Sequence, residues 1–288
     1  MNRLIFITRR FLIWSGIDVL ISWLCNRFKF GGILIRMMPP PFMFPIPCFR
    51  MVVRNGLRLR LDLSQYIDWT SYFCMDPEHK RLVYPHVKEG MIVLDIGSNM
   101  GEMALNFAKR TGPSGKVIGF EPVPENYMRC TYNFTMNEFD HLYVENLALG
   151  RDSGTLYFDS MPLHNSGGAV LTTTPSKQSV DVNMTSVDAY VLHQKLTKVD
   201  FIKIDVEGFE MEVLSGAENA LLKYRPMLCV EVNDEHLRRF GSSEDELMDF
   251  LARHRYSTRV ITPKVLSKTG SWHFDILAEP LPIDVVQS

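Results

Sequence analysis

The sequence predicts an α/β protein: a doubly wound, mostly parallel, seven-stranded sheet with helices on both faces, preceded by an N-terminal apolar helix. Three observations carry this. Beyond residue 80, short apolar runs alternate with helix-length stretches, the pattern of parallel strands joined by crossover helices. A glycine loop, Asp95-Ile-Gly-Ser-Asn-Met-Gly101, follows the first of these runs directly. The 288 residues are 46% hydrophobic and 22% charged, enough for a large core and wrong for a disordered chain.

The head of the chain reads differently from the body. Residues 1–54 hold eight basic residues against one acid, Asp18, whereas the remainder carries 23 bases against 32 acids. A basic, apolar head on an acidic body suits an anionic surface, with a membrane as the first candidate. Phe11–Leu24 is apolar but interrupted by Asp18, too short to span a bilayer and lacking a small-residue cleavage site. Ser15, Asp18, Ser22 and Asn26 recur at steps of three and four, which makes one polar helical stripe. Trp14, Ile17, Leu20, Ile21, Trp23 and Leu24 cover the rest. Residues 4–26 are thus expected to lie in a membrane interface, or to dock on their own domain or on a second subunit of a homodimer.

Five prolines between Met37 and Phe49 predict an extended linker, so that residues 1–50 stand apart from a main domain of residues 51–288. Five cysteines without a C-x-x-C pair imply reduced, mostly buried thiols in a cytoplasmic protein. The net charge of -2 argues against a nucleic-acid partner.

In the body, Met91–Ile96 reads as the first strand, followed by a helix through Ala108. Lys116–Phe120 is the second strand, Pro124–Asn137 a helix, and His141–Leu149 the third strand. Thr155–Phe158 and Gly168–Thr172 read as an inserted hairpin flanking the loop His164-Asn-Ser-Gly-Gly168. Phe201–Val206 is the fourth strand, Gly208–Tyr224 a helix, and Met227–Val232 the fifth strand. Ser243 and Glu246 form a capping box for a helix ending near His254. Ser257–Ile261 and Trp272–Leu277 complete the sheet. The aromatic stretch Tyr66–Phe73 reads as core.

Ligands of such sheets bind beyond the carboxyl ends of the strands. A dinucleotide fingerprint needs G-x-G-x-x-G, but Asn99 stands at its second glycine and Glu102 at its third. Glu102 places negative charge where a pyrophosphate would sit. The spacing Asp95-x-Gly97-x-x-x-Gly101 matches instead a loop that holds the methionine part of S-adenosylmethionine. Glu121, ending the second strand, can accept both ribose hydroxyls. Lys203-Ile-Asp-Val-Glu-Gly208 places Asp205 at the end of the fourth strand, with Glu207 at the start of the next helix.

Together V-L-D-I-G-S-N-M-G (93–101), G-F-E-P-V-P-E-N (119–126), N-L-A-L-G (146–150), D-F-I-K-I-D-V-E-G-F-E (200–210), V-L-S-G-A (213–217) and P-M-L-C-V-E-V (226–232) resemble the FkbM-type methyltransferase family. The resemblance covers roughly residues 65–235. It implies the class I, Rossmann-like S-adenosylmethionine-dependent fold and O-methylation of a hydroxyl on a sugar, glycolipid or secondary metabolite. By the same resemblance Asp95, Gly97, Ser98, Asn99 and Gly101 hold the cofactor's amino-acid part, Glu121 its ribose, and Ala148 lies near adenine. Asp205, Glu207 and Glu231 face the methyl group and acceptor, as base or as ligands of a hard cation such as Mg²⁺. His164 and His236 are alternative bases. Met100 departs from the family's usual β-branched residue. The alternative function is a catalytically silent, membrane-associated binding or scaffold protein, with a nucleotide-dependent oxidoreductase third.

Overall fold

The computed structural model describes residues 16–27, 38–73, 82–160, 164, 170–172, 174–177, 179–266 and 270–282. The chain divides into two compact units, residues 1–77 with 161–169, and residues 78–160 with 170–288. The expected boundary near residue 50 falls inside the first unit.

In the first unit, helix α1 (Ile17–Arg27) is the described part of the expected N-terminal helix; Trp14, Ser15 and the residues before them lie outside the described residues. Two of its polar residues, Asp18 and Ser22, point inward. Asp18 is fully buried and accepts a hydrogen bond from Arg50 Nε at 2.8 Å, and the Ser22 hydroxyl donates to the Tyr72 carbonyl at 2.7 Å. Val19, Leu20 and Trp23 are left exposed. Strands β1 (Phe49–Arg54) and β2 (Leu57–Asp62) form an antiparallel hairpin around Asn55-Gly56. Leu57, Leu59 and Leu61 alternate inward as a half-buried strand requires. Helix α2 (Tyr66–Tyr72) buries Trp69 and Tyr72, and Phe73 follows them into the core. The proline-rich stretch is not the extended linker its composition predicts. It turns once at Pro41–Met43, buries Met38 and Phe44, and accepts the Trp69 indole N–H at the Pro39 carbonyl. Two apolar side chains among the prolines suffice to anchor it.

The second unit is built on an eight-stranded sheet. Its strands are β3 (Ile92–Ile96), β4 (Lys116–Phe120), β5 (Leu142–Glu145), β10 (Phe201–Ile204), β11 (Met227–Asn233), β12 (Tyr256–Val260) and β14 (Trp272–Pro280), in the order β12-β14-β11-β10-β3-β4-β5. A two-residue β13 (Val265–Leu266) pairs with β14. The five strands from β11 to β5 are parallel, and β14 inserts antiparallel between β11 and β12. Chain order therefore reverses between β3 and β10, the switch point where open α/β sheets bind ligands. Strands β3, β4 and β10 are almost wholly buried, as their mainly apolar runs demand, with Asp95 and Lys203 the charged residues buried among them.

Helices α3 (Glu102–Thr111) and α4 (Pro124–Thr135) follow β3 and β4, and Pro124 stands at the start of α4, where its fixed φ costs no hydrogen bond. The expected third strand splits: β6 (Ala148–Leu149) leaves the main sheet and pairs with β9 (Val180–Thr185). β9 also pairs with β7 (Gly154–Ser160), which pairs with β8 (Val170–Thr172), giving a separate four-stranded sheet. Helix α5 (Val187–His193) follows, capped by Ser186. Neither β9 nor α5 is expected from the sequence. The single helix expected over Gly208–Tyr224 is two, α6 (Glu210–Ser215) and α7 (Glu218–Tyr224). The break falls at Gly216, where any side chain would strike the Gly150 carbonyl. Helices α8 (Asp234–Arg239) and α9 (Glu244–Arg253) complete the unit, with Ser243 capping α9 as expected. The four described cysteines are buried. Among the described residues no helix is long and apolar enough to cross a membrane.

Candidate active site

The loop after β3 is shaped by close approaches. Gly97 has a φ of +84°, and a Cβ there would run into the Asp205 carbonyl oxygen. Only glycine lets the loops after β3 and β10 touch at this point. Asn99 also takes a positive φ, and its N–H donates to Glu121 Oε2 at 2.7 Å. The Val123 N–H donates to Glu121 Oε1 at 3.0 Å. Burial nevertheless pushes Glu121 up to about 7. The Asn99 side-chain oxygen is buried with no hydrogen-bond partner.

Two of the expected cradle residues serve the scaffold. The Ser98 hydroxyl turns back to the Asp95 carbonyl at 2.8 Å, into space kept open by Gly119. At Gly101 a Cβ would lie 2.5 Å from the Phe134 ring and 2.7 Å from Cys130 Sγ, so this glycine admits helix α4. Asp95 itself is fully buried at the end of β3, and burial raises its pKa.

A small apolar cleft lies at the carboxyl ends of β3 and β4, lined by Ile96, Gly97, Phe120, Ala148, Val206 and Phe209 among others. Ala148 forms part of its wall.

Lys203, which sequence reasoning leaves without a role, ties the two loops together. Its buried ammonium donates to the Gly97 carbonyl at 2.8 Å and lies 3.2 Å from Asp205 Oδ2 and 3.8 Å from Asp95 Oδ1. Burial works against the charge, but Asp205 and Asp95 raise its pKa above the ordinary lysine value. A lysine inside an otherwise apolar strand, two residues before an acid, is the signal that marks it.

The following turn is strained and pinned. Glu207 has a φ of +57° and Gly208 one of +108°, where a Cβ would collide with the His236 carbonyl. The buried Glu210 holds the turn by accepting the Val206 and Gly208 N–H groups at 3.0 and 3.1 Å, and burial raises it to about 7. Strain of this kind persists where the surroundings over-determine it, commonly at functional sites. Its outcome is that Glu207 Oε2 lies 3.0 Å from His236 Nδ1. Glu231, on β11, pairs with His273 at 2.9 Å, and its other carboxylate oxygen is buried without a partner. Burial and then the neighbouring Asp205 and Glu207 hold Glu231 well above the usual carboxylate range. One ligand atom each from Glu207, Glu231 and His236 fall within 4.8 Å of one another.

Asp95, Gly97, Asn99, Glu121, Ala148, Asp205, Glu207 and Glu231 thus all lie in the second unit, on the loops and strands around the sheet's switch point. His164 is described with the first unit, its Nδ1 2.8 Å from the Ser64 carbonyl; the glycines after it lie outside the described residues. His236, expected as an alternative base, lies 29 positions beyond Glu207 in the chain, and only the fold brings the two together.

A parallel sheet that reverses at β3, with a glycine loop and a buried acid at its switch point, defines a Rossmann-like cofactor-binding protein. Residues 95–258, more than half of the chain, match the methyltransferase FkbM domain, and the chain belongs to that family. It is 30% identical over 141 residues to a hexuronic acid methyltransferase, AglP, of Haloferax volcanii, covering 49% of this chain and 56% of that one. It is 28% identical over 156 residues to methyltransferase sdnD of Sordaria araneosa, covering 44% and 60%. A 2-O-methyltransferase, NoeI, of Sinorhizobium fredii is 25% identical over 174 residues, covering 55% and 70%. The first two matches span little more than half the length of those relatives. Among solved structures, methyltransferase FkbM from Methylobacillus flagellatus aligns with a TM-score of 0.45 at 17% identity, covering 74% of this chain and 52% of that one.

Proposed function

We propose that the chain is an S-adenosylmethionine-dependent O-methyltransferase acting on a hydroxyl of a sugar or similarly hydroxylated small molecule. The observation that carries the mechanism is the proximity of His236 and Glu207 at the turn after β10. Val206 and Phe209 line the apolar cleft, and Glu207 lies between them in the chain. The residues fit the cofactor: an apolar slot, an orphaned amide oxygen at Asn99 and several carboxylates suit a cationic, phosphate-free ligand. When bound, the cofactor supplies an electrophilic methyl on sulfur, and the departing thioether keeps the carbon–sulfur electron pair.

Glu207 Oε2 lies 3.0 Å from His236 Nδ1 without a hydrogen bond in the structure; in this reading a small turn of the ring lets Glu207 accept the Nδ1–H, which leaves Nε2 free to take the acceptor's hydroxyl proton. The carboxylate both orients the ring and stabilises the imidazolium that forms. Glu231, whose pKa burial raises, has a buried carboxyl oxygen without a partner that can hydrogen-bond the acceptor. Asp205 is tied to Lys203 and orders the cofactor loop. Holding the two reactants in line supplies about 7–11 kcal/mol of the barrier reduction. The sugar class rests on the printed activities of two relatives, hexuronic acid methylation and 2-O-methylation.

Glu207, Glu231 and His236 also form a candidate cation site. An imidazole with two carboxylates suits a transition ion, whereas Mg²⁺ takes oxygen ligands. The mixed set therefore does not favour Mg²⁺, and the base reading expects EDTA to leave turnover unchanged. Loss of turnover with EDTA, restored by Mn²⁺ or Zn²⁺, would replace the base with a metal.

The experiment is a panel of hexuronic acids and other sugars, with release of S-adenosylhomocysteine as readout. Turnover of any acceptor that His236→Gln abolishes supports the assignment. Cofactor binding with no turnover across the panel favours the silent scaffold.

A further inference from the structure

The side chains assigned to proton transfer have a second capacity. Glu207 Oε2 and His236 Nδ1 lie 3.0 Å apart, and Glu231 brings a third ligand atom within 4.8 Å of theirs. Two ligands held about 2.0–2.2 Å from one ion are themselves about 3–3.5 Å apart, so the first pair already stands at coordination spacing. His236 Nδ1 and Glu231 Oε2 are both buried, and neither has a hydrogen-bond partner among the described residues. The other Glu231 oxygen, Oε1, lies 2.9 Å from His273 Nε2. An outer contact of this kind orients a ligating carboxylate and leaves its second oxygen for an ion.

The three side chains come from elements that are fixed in place. Glu231 stands on β11, inside the main sheet. His236 is in the first turn of α8, where the Asn233 side chain accepts its backbone N–H at 3.3 Å. The turn carrying Glu207 packs on His236 itself, because a Cβ at Gly208 would collide with the His236 carbonyl. Ligands positioned in advance lose little freedom on binding. One imidazole and two carboxylates, with further positions open, suit zinc or another first-row transition ion.

We propose that Glu207, Glu231 and His236 bind a transition ion of the Zn²⁺ type and that the bound ion blocks methyl transfer. The blocking half rests on the reading of His236 as the base; the binding half does not. An ion on Nδ1 takes the lone pair of that nitrogen, and the ring proton resides on Nε2. Nε2 is then an N–H donor and has no lone pair for the acceptor's hydroxyl proton. Glu207 is held by the ion at the same time and no longer orients the ring. Metal supply thereby switches the site between a working base and a closed one.

The test is calorimetric titration of the metal-free full chain with Zn²⁺ alone, and separately with Mg²⁺. One Zn²⁺ per chain is expected at this site, and Mg²⁺ far more weakly. His273→Ala, which removes only the outer contact, should weaken Zn²⁺ binding about 10–100-fold, and His236→Gln or Glu231→Gln at least as much. Circular dichroism checks folding, and the half-exposed His273 serves should either ligand variant fail to fold. On an acceptor that is turned over, one equivalent of Zn²⁺ should abolish turnover and EDTA restore it. No Zn²⁺ binding by the folded chain overturns the proposal, as does equal binding by the parent and all three variants. Zn²⁺ bound here that leaves turnover intact overturns the blocking half, and Zn²⁺ that raises turnover overturns it together with the base reading. The methyl-transfer reading fails separately, as a metal-free chain that turns over no acceptor while its Zn²⁺ binding stands.

Discussion

At the scale of residues, the account turns on His236, Glu207 and Glu121. Removing the base as His236→Gln, or its orienting partner as Glu207→Gln, should lower turnover by about 10²–10⁴-fold, the usual worth of general acid–base catalysis. Calorimetry should find cofactor affinity nearly unchanged in both, because neither side chain belongs to the loop after β3. A matching fall in affinity would place these residues in the cofactor site instead. Glu121 predicts a pH dependence. Its carboxyl titrates at about 7, and the ionised form is the better acceptor of ribose hydroxyls. Affinity for S-adenosylmethionine should therefore rise with pH through about 7, and Glu121→Gln should bind more weakly with that rise abolished. Residue identity was readable in advance where a motif fixes it, as at Asp95, Gly97 and Glu121. Lys203 has no role assigned from the sequence and His236 only that of an alternative base, because their importance comes from partners brought near by the fold.

At the scale of elements, the two loops at the switch point act as one object. Gly97 permits the Asp205 carbonyl to approach, Lys203 bonds the Gly97 carbonyl, and Glu210 pins the turn that presents Glu207. Gly97→Ala combines a left-handed φ with a backbone collision and should cost about 3 kcal/mol or more of unfolding free energy in denaturant titration. A cost below about 1 kcal/mol would show that the loops can part. Gly101→Val is a poor probe of the cofactor loop, since Cys130 and Phe134 would be displaced first. The same packing explains what the sequence concealed. Strong apolar runs such as Ile92–Ile96 and Phe201–Ile204 are legible because a buried parallel strand must be mainly apolar. β9 alternates weakly and α5 spans only seven residues, so neither declares itself. The break between α6 and α7 depends on the Gly150 carbonyl, 66 positions away, which no local pattern encodes.

At the scale of the molecule, buried acids set how stability varies with pH. Glu121, Glu210 and Asp275 are each raised by burial to about 7. Between the ordinary carboxylate range and about pH 7, the folded chain keeps protons that the unfolded chain has released. Unfolding free energy should therefore fall as pH rises through that window and level off above it. Denaturant titrations at about pH 5 and pH 8 should find the protein more stable at the lower value, and Glu210→Gln should shrink the difference. Asp234 is lowered by its hydrogen bonds and works the other way, but only at more acid pH.

The central claim is that the second unit holds S-adenosylmethionine at the switch point of its sheet. Calorimetric titration of the full chain with S-adenosylmethionine, and separately with NAD⁺, tests it most directly. A micromolar Kd, about -8 kcal/mol, is expected for the methyl donor and no heat for NAD⁺. Folded protein that binds NAD⁺, or neither compound, would contradict the account.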